Sequence, residues 1–202
     1  MKTEQSTERL VFFSDAVVAI ALTVLVLPLT ELVPELLREH GHSTEVITEN
    51  LWQIYSFLLS FVVIGRLWLS HHRLFAQVRA HNPALLWLNL GWLLSIVVLP
   101  FPTEMVGAFG TDEFTVLFYI GATLVSSAFL SAILLLVRSN PELAKEPGRI
   151  SDAWRLDAVG STIALAAAFL LALLVPAVNY FALLLLIIPP QIVRIRYGRR
   201  AG

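Results

Sequence analysis

The chain is 202 residues long, 57% hydrophobic and only 14% charged, with a formal net charge of -1 and a pI near 6.5. A soluble domain carries about 25% charged residues, so a surface facing water on all sides is excluded, and the near-neutral charge gives no electrostatic reason to bind nucleic acid. Cysteine is absent, which removes disulfides, thiolate chemistry and cysteine-ligated metals together.

A bilayer calls for roughly 20 consecutive apolar residues per helix, and such stretches recur along the whole chain. Six spans are expected, at approximately 10–29, 51–71, 84–106, 114–137, 153–175 and 178–197. The expected fold class is an all-α integral membrane protein, with residues 1–202 forming one transmembrane domain. The linkers are too short for an independent soluble domain. The first span lacks a small-x-small cleavage pattern after its apolar run, so it is expected to be retained rather than removed as a signal peptide. Lys2, Arg9, Arg73, Arg79, Arg138, Lys145, Arg149, Arg155, Arg194, Arg196, Arg199 and Arg200, 12 of the 14 basic residues, fall on alternate linkers or termini. That bias predicts that both termini are cytoplasmic.

The first span opens with Arg9-x-x-x-Phe13-Ser14-Asp15. A carboxylate at the centre of a span costs about 2.5–3.5 kcal/mol, and less near the interface, so Asp15 needs a partner. Antiparallel neighbours offer candidates at matched depth. These are Trp68, His71, His72 and Arg73 at the end of the second span, Asn89 in the third, and Arg155, Asp157 and Ser161 in the fifth. Such a polar layer glues helices together, each bond contributing about 0.6 to 2 kcal/mol; a direct part in transport is the alternative. Around the same helix Ile20, Thr23, Val24 and Leu27 share one stripe, and Asp15 lies roughly 140° away from Ile20. The stripe suits either lipid and ordinary packing or, around a symmetry axis, a narrow apolar path gated by dewetting.

Arg9-x-x-x-Phe13-Ser14-Asp15 with the Ile20, Thr23 and Leu27-Pro28 spacing resembles the opening helix of the transmembrane protein 175 family of potassium channels. Trp68-Leu69-Ser70-His71-His72-Arg73-Leu74-Phe75 resembles the end of that family's second helix. Leu88-Asn89-Leu90 and Leu99-Pro100-Phe101-Pro102-Thr103 resemble its third. The resemblance implies a prokaryotic single-repeat form of six helices per subunit, a homotetramer in the cell membrane, and a pore lined by the first helix. It implies Ile20 as the hydrophobic constriction, Thr23 as a polar layer one turn outward, Leu27 as an outer apolar ring, and Val24 on the same face. Arg9, Phe13, Ser14 and Asp15 would belong to a bracing motif, with Trp68, His71 or His72, and Asn89 as partners.

The implied activity is passive potassium flux without a cofactor. Thr-Val-Gly-Tyr-Gly is missing, so selectivity would rest on partial dehydration at the apolar ring, with Thr23 hydroxyls replacing lost water. Arg66 departs from an uncharged second span; it would snorkel or pair with an acid. The acidic linker with Glu31, Glu35, Glu39, Glu45 and Glu49 suits a solvated face or a cation-attracting mouth. His40 and His42 are too loosely arranged to define a metal site. No H-E-x-x-H or G-x-S-x-G supports an enzyme. The alternatives are a proton- or cation-coupled secondary transporter and a structural membrane protein without transport.

Overall fold

The computed structural model describes residues 2–38, 42–146 and 150–197. They form α1 (Lys2–Val24), α2 (Leu27–Arg38), the short α3 (Glu45–Thr48), α4 (Leu51–Phe75), α5 (Pro83–Val98), α6 (Pro100–Phe109), α7 (Glu113–Ser139), α8 (Asp152–Leu174), a 3-10 helix (Pro176–Ile187) and α9 (Ile188–Tyr197). Six stretches among them are long and apolar enough to cross a membrane: Thr7–Pro34, Leu51–Phe75, Pro83–Phe109, Glu113–Ser139, Asp152–Leu174 and Pro176–Val193. The protein is therefore an all-α membrane protein of six spans.

Polar side chains start the helices where backbone N–H groups lack partners. Asn82 accepts from the Leu85 N–H with Pro83 in the first helical turn, Asp112 accepts from Thr115, and Ser151 accepts from Trp154. Gly110, at φ 59, ends α6 in the left-handed region that glycine adopts without a Cβ clash.

Three spans that hydropathy presents as continuous are not single α-helices; the third, expected over 84–106, passes from α5 to α6 at Leu99 and Pro100. The first span, expected as one helix over 10–29, breaks after Val24. Pro28 has no N–H to give the Val24 carbonyl, and its ring crowds that same oxygen. The Val26 N–H instead reaches the Thr23 carbonyl at 3.3 Å, and the Thr30 N–H reaches the Val26 carbonyl at 3.2 Å. The sixth span, expected as a helix over 178–197, starts as a 3-10 helix and becomes α-helical only at Ile188. Pro176 opens it, and Asn179 sits at φ 52 with its Oδ1 accepting from the Tyr180 N–H at 2.7 Å. Asparagine tolerates that backbone region because its short side chain bonds locally.

Backbone bonds fix which linkers share an end of the bundle. The Arg79 N–H donates to the Leu143 carbonyl at 2.7 Å and the Lys145 N–H to the Gln77 carbonyl at 2.8 Å, so the α4–α5 and α7–α8 linkers meet. Thr7 Oγ1 donates to the Arg79 carbonyl, bringing the start of α1 to the same end. At the other end the Tyr180 hydroxyl donates to the Gly110 carbonyl at 2.9 Å.

The main core gathers Val18 and Ala21 of α1 and Leu25 just beyond its end with Ile64 and Leu67 of α4 and Trp92 and Ile96 of α5. A second core joins Tyr119 and Ile120 of α7 to Ala168 and Ala172 of α8 and to Tyr180. Hydroxyls stitch these layers. Ser60 bonds the buried Tyr119 hydroxyl and Thr103 bonds Ser60, while Thr162 of α8 meets Ser127 and Ser131 of α7 at 2.9 and 2.8 Å. In hydrocarbon such bonds join helices without competition from water.

Candidate functional site

The first span, α1 continued past its break into α2, presents two faces of opposite character. On one, Val18 is 1%, Ala21 3% and Leu25 3% exposed, packed against α4 and α5. On the other, Ile20 is 63%, Leu27 53% and Phe13 54% exposed, with Ala16 and Thr23 open between them. Val24, 38% exposed, sits at the flank of this stripe, and with Leu27 it borders a lateral cavity of about 550 Å³ facing α4 and α6.

Polar bonds hold the opposite side. Asp15 is satisfied by the indole of Trp68, whose Nε1–H donates to Oδ1 at 2.8 Å. Ser14, His71 and Asn89, all fully buried, form a chain across three helices. Asn89 Nδ2 donates to Ser14 Oγ at 3.0 Å, and the Ser14 hydroxyl in turn donates to the Leu10 carbonyl at 2.9 Å. Because Asn89 uses its amino group on Ser14, its Oδ1 faces His71 Nε2 at 2.8 Å and must accept, which places the imidazole proton on Nε2. The His71 ring lies between Trp92, 4.0 Å away and 7° from parallel, and Phe75 at 4.2 Å. Its Nδ1 has no partner among the described residues.

The expected partners of the first helix thus separate. Trp68 takes Asp15, while Asn89 takes Ser14 and is itself bonded by His71. His72 is exposed and lies against the Trp68 ring at 5.5 Å. Arg9 is exposed, and neither it nor Arg66 has a side-chain partner among the described residues. The fifth span does not join this layer: Asp152 instead pairs with Arg138 at 2.6 Å and lies 3.8 Å from Arg155, and Asp157 Oδ1 is buried without a hydrogen-bond partner among the described residues. The reason is placement, since α8 packs chiefly on α7 and the 3-10 helix rather than on α1. The aromatic sandwich of Trp92 and Phe75 escaped the sequence reading, although Phe75 follows His71 by four residues and Trp92 follows Asn89 by three, both one turn along a shared face.

Among the described residues no group of three or more His, Cys, Asp or Glu could hold a metal ion. His40 and Glu39 lie outside the described residues, and the side chain of Glu35 is likewise undescribed. A polar brace without titratable pairs or nucleophiles positions a helix; it performs no bond chemistry. What it positions is the exposed stripe.

Comparison with known proteins agrees with this geometry. Residues 9–100, which hold both faces of the first helix and the brace, match the family model described as the endosomal/lysosomal potassium channel TMEM175. A potassium channel of Chryseobacterium sp. (strain P1-3) is 34% identical over 139 residues, covering 68% of this chain and 68% of that protein. The endosomal/lysosomal proton channel TMEM175 of Danio rerio is 26% identical over 148 residues, 73% of this chain but only 28% of that protein. The crystal structure of a lysosomal potassium-selective channel TMEM175 homolog from Chamaesiphon minutus has the same fold, with a TM-score of 0.76 at 21% identity over 96% of this chain and 98% of that one. The relatives are ion channels and not enzymes, and this chain belongs to the TMEM175 family.

Proposed function

We propose that four copies of this chain surround a pore lined by the first helix and conduct potassium passively across the cell membrane, with both termini cytoplasmic. The observation that carries this reading is the exposed Ile20–Thr23–Leu27 stripe on a helix whose other face is tied down by fully buried polar groups. An isolated subunit leaves that stripe bare. A ring of copies covers it and creates a path whose narrowest part is apolar at Ile20. In that ring Arg9, Phe13, Ser14 and Asp15 hold the helix in place, and Trp68, His71, His72 and Asn89 form the wall behind it.

Thr23 supports cation conduction in particular. Its hydroxyl donates to the Ile20 carbonyl at 2.7 Å, so the hydrogen is spent on the backbone and the exposed side of the oxygen offers lone pairs. Four such oxygens favour a partly dehydrated cation, and potassium sheds water more readily than sodium. The basic residues gathered at one end, Arg73, Arg79, Arg138 and Lys145, support a cytoplasmic placement for that end.

Some relatives bear the name proton channel. The stripe from Ile20 to Leu27 holds no titratable side chain, and Asp15 is already engaged by Trp68 off that stripe. Proton conduction or proton-coupled transport is therefore the second reading. Purified protein in liposomes under a potassium gradient decides between them. Fast, non-saturating potassium flux that changes in Ile20→Asn and Thr23→Ala supports the pore; slow, saturable or strictly proton-linked transport overturns it.

A further inference from the structure

The stripe does not end at Leu27. Thr30 lies seven residues beyond Thr23, a spacing that returns a helix to nearly the same face and advances it about 10 Å. Across the break after Val24 the chain continues through a tight turn, the Val26 N–H reaching the Thr23 carbonyl and the Thr30 N–H the Val26 carbonyl. Thr30 is exposed, and its hydroxyl donates to the Leu27 carbonyl at 2.7 Å, as the Thr23 hydroxyl does to the Ile20 carbonyl. In each case an apolar side chain is followed three residues later by a hydroxyl whose hydrogen is committed to the backbone and whose lone pairs face outward. The lateral cavity toward α4 and α6 is bordered by Val24, Leu27, Glu31 and Glu104 and by neither threonine. Both threonines are exposed.

We propose that Thr30 forms a second ring of hydroxyl oxygens around the ion path, a waiting site for a monovalent cation separated from the Thr23 layer by the Leu27 ring. The inference rests on the four-fold pore proposed above. The threonine ligands of this site are neutral oxygens, which suit a potassium-sized monovalent ion better than a strongly hydrated divalent one.

Single-channel recordings of the full chain in planar bilayers test this. With dilute potassium supplied on the α2 side, Thr30→Val and Thr30→Ala are each expected to lower conductance about two- to threefold, with the loss disappearing at saturating potassium and Thr30→Ser retaining wild-type behaviour. The potassium-to-sodium permeability ratio should stay near the wild-type value in these variants and change in Thr23→Val. Wild-type conductance in both Thr30→Val and Thr30→Ala at dilute potassium overturns the inference. If Thr23→Val still alters the ratio in that case, the pore reading stands without the second ring; if neither position has any effect, both fall.

Discussion

Trp68 donates its indole N–H to the Asp15 carboxylate at 2.8 Å, joining the first and second spans at the depth where a charge in hydrocarbon is costly. The bond replaces hydration that the membrane withholds. Removing only the donor strands the acceptor, which is the expensive half of such a pair, at about 1–3 kcal/mol. Trp68→Phe is therefore expected to lower thermal stability in detergent by that amount and to reduce recovery of assembled protein. Adding Asp15→Asn should restore part of the loss, since the neutral amide is cheaper to leave unpaired. Differential scanning fluorimetry of the single and double variants checks it.

Asn89 bonds side chains of two other spans, Ser14 of the first through Nδ2 and His71 of the second through Oδ1. Asn89→Leu keeps the volume near constant but removes both bonds and leaves the His71 N–H and the Ser14 oxygen facing a hydrocarbon side chain. A stability loss of about 2–4 kcal/mol follows if each bond contributes at the upper end of the range for buried polar groups. Ser14→Ala removes one link only and should cost about half as much. Chemical denaturation in mixed micelles measures both.

His71 and His72 should respond differently to substitution. His71→Ala opens a void between Trp92 and Phe75 and deletes the bond to Asn89, a combined loss of about 3–5 kcal/mol. His72 is exposed, and His72→Ala should stay within about 0.5 kcal/mol of wild type. Melting temperatures of the two variants, measured side by side, check the contrast.

The Arg138–Asp152 pair sits at the end of the bundle with side chains 33% and 56% exposed, where solvent screens the attraction. Arg138 also donates to the Ile150 carbonyl at 3.0 Å, so it keeps a partner when the carboxylate is lost. Asp152→Asn is expected to change stability by less than about 1 kcal/mol, with a salt dependence that vanishes in the variant. A melting series from low to high ionic strength tests it.

Hydropathy and the cost of a buried charge carry much of this architecture in the sequence. Spans of 20 apolar residues can be counted, and Asp15 must find a donor at its own depth, which narrows the field to the matched ends of the second, third and fifth spans. Which of two adjacent histidines turns inward depends on the rotation of α4, and that is set by packing against α6 and α1 rather than by either residue. The interruption of the first span follows from Pro28 acting on the Val24 carbonyl, but its consequence, that Leu27 belongs to a different helix from Ile20 and Thr23, needs coordinates. Asp157 misled for a related reason. It has the right depth and polarity for the Asp15 layer, yet α8 lies on the far side of α7.

The exposed stripe of the first span is the face proposed to line the ion path. A chain without native cysteine allows a clean test. Thr23→Cys and Val18→Cys are recorded in planar bilayers before and after a small cationic methanethiosulfonate reagent. The pore assignment predicts that current through Thr23→Cys is blocked irreversibly, while Val18→Cys, facing α4 and α5, is unaffected. Persistent current through modified Thr23→Cys, verified by mass spectrometry, would place the ion path elsewhere.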